Sequence, residues 1–311
     1  VRVAAIDIGT VTTRLLVADV ERGTLTEVER GLAFTHLGEG MTSSRLLADA
    51  AVARVTAAVG VFAKRARELG AVSVTAAATS AARDSSNAGV LVARVAREGV
   101  DLRVIPGDEE ARLSFAGATY DLDGEGLLVI DLGGGSTELV LGRAWAHGDA
   151  RHTEVVAARS FDVGSRRVTD LFLSSDPPST EELLCAREWV AAEMRGYFEA
   201  LPQPPRVAVS LAGTATSLVA IDRAMGTYDP AAVHGCVLSR DDVARLAARL
   251  AALTLAHREQ VVGLEPERAG VIVAGALVLE VVLGLAGLGE TVVSEHDILY
   301  GLALDEAGGR G

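Results

Sequence analysis

The opening stretch, RVAAIDIGTVTTRLLVADV, sets two apolar runs either side of a short polar interruption, a pattern that predicts a strand, a Gly/Thr turn and a second strand. The same plan recurs at mid-chain in GLLVIDLGGGSTELVLGR: apolar strand, Asp, tight polar turn, apolar strand. A unit that recurs in this way implies two lobes built alike rather than one uninterrupted sheet. Between the two units, Leu46 to Leu69 predicts a helix, AVSVTAA a strand, and LRVIPG a short strand ending beside Pro106 and Gly107. DEEARLSFAGATYD then turns into a helix with acidic side chains at its start. Beyond the second unit, Thr180 to Leu201 predicts a helix, PQPP breaks the chain, and RVAVSLAGTATSLVAI reads as a strand feeding a glycine turn and a helix. Asp241 to His257 and Glu267 to Leu285 are further helical stretches, and TVVSEHDILYGLALDEAG reads as a short strand and a terminal helix that could return to the first lobe. The expected division is therefore 1–122 and 123–311.

Composition agrees with an ordered α/β chain. Hydrophobic residues make up 49% and charged residues 23% of 311 residues, enough to fill two cores beneath a polar surface. The formal charge of −13 argues against a broad nucleic-acid surface, which needs an excess of Lys and Arg, but leaves room for a local anion site. The cysteines, Cys185 and Cys236, are too few for a disulfide framework or a four-cysteine metal site. No secretory signal opens the sequence, and the apolar stretch Val271 to Gly289 is interrupted by Glu280, which favours a buried helix over a membrane span. A cytoplasmic location with no membrane partner is the expectation.

The two turns carry the chemistry. Asp7 and Gly9 lie in the first, Asp131 with Gly133, Gly134 and Gly135 in the second. Glycine lets backbone amides approach phosphate oxygens because no Cβ blocks the path. Thr10, Ser136 and Thr137 add hydroxyl donors, while Asp7 and Asp131 could hold a hydrated divalent cation. Either turn taken alone is as readily an ordinary hairpin; the duplication is what favours phosphate binding. A third glycine element, LAGTATSLV with Gly213, Thr214 and Thr216, offers donors to a phosphate or is a simple helix start. Arg14, Arg166 and Arg167 could extend a positive track for a long anion, or serve only the surface. The six histidines form no zinc signature, and Ser136 is not set in a nucleophile elbow, so direct attack by water is the simpler chemistry.

The motifs DIGTVTTRLL, TSAARDSSN, VIPGDEEARLSF and VIDLGGGSTELVLG, with FDVGSRRVTD, AGTATSL, YDPAAVHG and SEHDILYG, span nearly the whole chain. Together they resemble the exopolyphosphatase/guanosine pentaphosphate phosphohydrolase family of the actin-like superfamily. The resemblance implies two actin-like (ribonuclease H-like) domains flanking a phosphate-binding cleft. It also implies Glu110 as the catalytic carboxylate, with Glu109 adjacent, Glu138 organising water or metal, and Arg83 and Asn87 at the phosphate. Mg2+ is the implied cofactor, with Asp7, Asp131 and Glu138 as ligands, and a homodimer the implied assembly. Three positions depart from the family pattern: Val11 stands where Asn is common, His36 where Arg is common, and Gly270 where Asp is frequent.

Attack on a terminal phosphorus needs a positioned water, a proton acceptor and compensation of phosphate charge. Glu110 as base and Glu138 as supporting carboxylate meet that need. The preferred reading is an exopolyphosphatase acting on inorganic polyphosphate. Guanosine pentaphosphate is the alternative substrate, since its terminal phosphoryl group asks for the same chemistry. An actin-like kinase and a nonenzymatic polyphosphate or nucleotide sensor are the competing classes.

Overall fold

A computed structural model describes residues 1–41, 45–147 and 150–308, and its fold is mixed α/β with two sheets. The chain divides into two units, one comprising Val1–Asp123, Ala144–Thr153 and Asp297–Gly311, the other Gly124–Arg143 and Glu154–His296.

In the first unit, β1 (Arg2–Ile8), β2 (Thr12–Glu21), β3 (Thr24–Phe34), β4 (Ser73–Ala78) and β5 (Asp101–Val104) form a sheet in the order β3-β2-β1-β4-β5. β1 is buried on both faces, which is why RVAAIDI reads as a continuous apolar run rather than an alternation. Ala4, Ile6 and Ile8 join one core with Leu15 and Val17 of β2; Val3 and Ala5 join another with Leu16, Ala18 and Val20. This is the two-residue period of a strand, with a core on each side. Helix Asp49–Glu68 covers the first face through Val52, Val55, Val59 and Phe62. The terminal helix Ile298–Gly308 covers the second through Ile298, Leu299 and Leu302. Each such side chain stabilises by about 1.5–3 kcal/mol when fully buried, more than the ~1–2 kcal/mol needed to fix one residue's backbone.

The terminal helix lies against helix Gly107–Ala118, and glycine makes the approach possible. A Cβ on Gly301 would sit 2.2 Å from the Leu113 carbonyl oxygen, and one on Gly117 would sit 1.8 Å from that of Asp297. Neither position has room for a side chain.

The second sheet comprises β6 (Gly124–Leu132), β7 (Thr137–His147), β8 (Ala150–Phe161), β9 (Val207–Leu211), β10 (Val237–Ser239) and β11 (Glu290–Val293), in the order β10-β11-β9-β6-β7-β8. β6, β9 and β11 run parallel. Helix Ile272–Ala286 runs through the core, with Ile272 to Leu279 buried. Glu280, the carboxylate that interrupts this apolar stretch, accepts from Arg187 at 2.7 Å. No helix among the described residues is long and apolar enough to cross a membrane.

Two helix boundaries differ from the sequence expectation. The helix expected over Asp241 to His257 spans Arg240–Ala251, and a separate short helix, Leu255–Arg258, starts where the Asp176 carboxylate accepts from the Leu255 amide at 2.8 Å. The helix expected from Glu267 is a 3-10 turn, Pro266–Arg268, before the long helix begins at Ile272.

Candidate active site

Three adjacent strands of the first unit end in register. Ile8 pairs with Ala78 and Ala78 with Val104, all in parallel pairs, so the segments that follow leave the same edge of the sheet. These are the Gly9 turn, Thr79–Arg83 and Pro106–Glu110. The carboxyl edge of parallel strands is where open α/β sheets bind ligands.

The Gly9 amide donates to the Thr12 carbonyl at 2.9 Å, closing the turn. The segment 35–38 packs over it: the Thr35 and His36 amides donate to the Val11 carbonyl at 3.0 and 2.9 Å, and the Gly38 amide to that of Thr10 at 3.0 Å. Val11, which lacks the amide group common at this position, thus still anchors the turn through its backbone. His36 takes a left-handed φ of 47° and stacks on Phe34.

Asp7, 4% exposed, faces Arg14 across the β1–β2 register. Arg14 donates to Asp7 through Nη2 at 2.6 Å and Nε at 3.1 Å, and through Nη1 to Asp297. The cation expected to reach for substrate is therefore engaged by two buried carboxylates. Burial pushes the Asp7 carboxyl above its ordinary range; Arg14 pulls it down, and the Asp297 charge adds to the rise.

Glu110 lies in the first turn of helix Gly107–Ala118, 6% exposed, and accepts from Arg83 Nη1 at 2.6 Å. Glu109 instead pairs with Arg103 at 2.9 Å on the outer side, which separates the roles of the adjacent acids. Asn87, expected at the phosphate, bonds to the backbone of Leu47. Its amide accepts from the Leu47 amide at 2.8 Å and donates to the Leu47 carbonyl at 3.0 Å, a clip that spends both ends of the side chain on the backbone.

In the second unit the Gly133 amide donates to the Ser136 carbonyl at 3.0 Å. The closure is the counterpart of the Gly9–Thr12 bond, and a Cβ at either glycine would lie 3.3 Å from the carbonyl oxygen concerned. The internal repeat is thus one turn geometry used twice. Helix Ser165–Phe172 seats on the second turn: the Ser165 amide donates to Gly133 at 2.9 Å, and those of Arg166 and Arg167 to Gly134 at 2.8 and 3.1 Å. A Cβ on Gly164 would come within 2.4 Å of the Gly134 carbonyl oxygen. Arg167 also donates through Nε to the Gly135 carbonyl at 2.9 Å, while Arg166 pairs with Asp170 at 2.9 Å, one helical turn on. Arg166 thus belongs to a helix-surface pair.

Glu138, 1% exposed, accepts from Ser160 at 2.6 Å, and Asp131 is buried near the end of β6. Ser136 is buried, and Thr137 donates its only hydroxyl proton to the Val163 carbonyl, so Thr137 builds the turn. Asp131 stands in register with Leu211, after which helix Ala212–Asp222 begins, so Gly213 lies at a helix start on the same edge of the sheet. Ala212, its first residue, sits at φ 63°, a conformation that costs an L-residue about 1–2 kcal/mol. The Arg268 guanidinium lies against Gly213, leaving no room for a Cβ, and Thr214 packs against Gly275. Arg268 opens the segment RAGVI that also holds Gly270, but is not among the expected site residues; its place beside Gly213 is set by the fold. A Cβ on Gly270 would meet nothing within 4 Å, so the side chain frequent there elsewhere would fit.

The donor chemistry suits a small divalent cation, which prefers carboxylate oxygens. Both Arg14 contacts with Asp7 land on Oδ2, leaving Oδ1 outside the ion pair. In the other unit Asp131 and Glu138 are buried carboxylates of the same kind.

The Ppx/GppA phosphatase family model matches residues 16–304. Exopolyphosphatase 2 of Mycobacterium tuberculosis is 40% identical, the match covering 99% of each chain. The crystal structure of an exopolyphosphatase-like protein superposes with a TM-score of 0.90 at 34% identity, over 98% of this chain and 97% of that one. An exopolyphosphatase from Cytophaga hutchinsonii superposes with a TM-score of 0.88 at 26% identity, over 99% and 98%. The fold is of the actin-like α/β class.

Proposed function

We propose that this chain, which belongs to the Ppx/GppA phosphatase family, is an exopolyphosphatase that cleaves the terminal phosphoanhydride bond of inorganic polyphosphate and releases orthophosphate. The observation that carries the reading is the repeated turn: each of the two units closes a glycine turn with the same amide-to-carbonyl bond, next to a buried aspartate. Glycine amides suit a ligand made of phosphates and little else.

In this reading Glu110 orients the attacking water and takes its proton, with Arg83 fixing the direction of the carboxylate. The amides around Gly9, Gly133, Gly134 and Gly135 cradle phosphoryl oxygens, with Thr10 and Ser136 beside them. Asn87 and Thr137 support these segments from behind. Asp7, Asp131 and Glu138 are the carboxylates offered to magnesium, which when bound offsets charge on the departing oxygen. Glu138, held by Ser160, keeps its carboxylate aligned without solvent around it. A homodimer in the cytoplasm completes the reading, and molecular mass across a concentration series tests the assembly.

Polyphosphate and guanosine pentaphosphate present the same scissile bond, so matched hydrolysis of both, with magnesium, is the test. Faster orthophosphate release from polyphosphate supports the proposal. Release from guanosine pentaphosphate alone would replace the substrate, and binding without turnover of either would overturn the enzyme reading in favour of a sensor.

A further inference from the structure

We infer that Asp297 is a positioning residue: it holds Arg14 so that the guanidinium engages a single oxygen of Asp7, leaving the other for a divalent cation. The inference rests on the proposed role of Asp7 as a cation ligand.

An arginine facing a carboxylate usually forms two parallel bonds, one to each oxygen. Arg14 does not. Its Nη2 and Nε both donate to Asp7 Oδ2, at 2.6 and 3.1 Å, while Nη1 donates to Asp297 Oδ2. Asp297 takes the arm that would otherwise be able to swing toward Asp7 Oδ1.

Asp297 is well placed to act as the fixed point. It is 4% exposed, and its Oδ1 accepts from the Leu299 amide at 2.9 Å, capping the terminal helix. Its carbonyl accepts from the Tyr300 amide at 2.9 Å and lies against Gly117 of the helix whose first turn carries Glu110. One residue thus ties together the strand of Asp7, the strand of Arg14 and the helix of Glu110.

The test is direct binding of Mn2+, a spectroscopic stand-in for magnesium, followed by electron paramagnetic resonance in the full chain. Wild type is compared with Asp297→Asn and Asp297→Ser, both of which keep a side-chain oxygen to cap the terminal helix. Loss of a group that orients a metal ligand weakens binding by roughly 10–100-fold, the change expected for both variants. Asp297→Glu should restore part of it, and KM for polyphosphate at saturating Mn2+ should move far less than the Mn2+ affinity. Wild-type affinity in both the Asn and Ser variants would overturn the inference. Absence of Mn2+ binding by the wild type would overturn it together with the cation role of Asp7. Weakened Mn2+ binding in a protein that leaves polyphosphate intact would uphold the inference while removing the substrate reading.

Discussion

Arg83 donates to Glu110 at 2.6 Å, joining the segment after β4 to the helix after β5. Residues 27 positions apart in the chain thereby form one unit at the carboxyl edge of the sheet. The donor fixes the direction of the carboxylate that serves as general base. Arg83→Ala should therefore lower kcat for orthophosphate release by about 10²-fold, at the low end of what a positioned general base contributes. An unchanged kcat with a raised KM would restrict Arg83 to substrate contact.

Asp7 gives a prediction of a different kind. Burial raises its carboxyl, a shift only partly offset by Arg14. A folded-state value above the unfolded one means that this group's contribution to stability is fully present below the unfolded value of about 3.9 and is lost as pH rises through the folded value. Burial works against the charged form of this carboxyl. Asp7→Asn should leave Tm unchanged or higher at pH 7 while removing turnover, the pattern of a residue kept for function. A lower Tm on thermal unfolding would assign Asp7 a net structural role.

Gly301 tests the docking of the terminal helix. A methyl group there would stand 2.2 Å from the Leu113 carbonyl oxygen, so the helix must move away from the one that carries Glu110. Gly301→Ala should destabilise by roughly 1–3 kcal/mol, as overpacked cores do, and lower kcat with it. Gly196, whose added Cβ would meet nothing within 4 Å, is the control, and Gly196→Ala should do neither.

The two glycine turns were legible because apolar runs, Asp and Gly fall in the same order twice, and local backbone chemistry suffices to make such a turn. β3 and β8 were not. TLTEVERGLAF lies at one edge of its sheet and is largely half-buried or exposed, so no clean alternation marks it. β8 likewise ends its sheet and carries ARHTEVVAARSF, again without a buried face written into the sequence. Which residues work in pairs was equally hidden. Arg14 and Asp297 are 283 positions apart, and nothing in either motif records that they meet. The residues around Asn87 match a motif, yet the motif does not say that the side chain is spent on Leu47. Sequence patterns identify segments; the use of each polar atom depends on long-range packing.

The central claim is that Glu110 activates water for attack on a terminal phosphoryl group, and Glu110→Gln addresses it with little change in shape. Orthophosphate release from polyphosphate of defined length, measured with magnesium in a variant whose circular dichroism matches wild type, should fall by about 10²–10⁴-fold in kcat. A folded Glu110→Gln protein that releases orthophosphate at the wild-type rate would contradict the account.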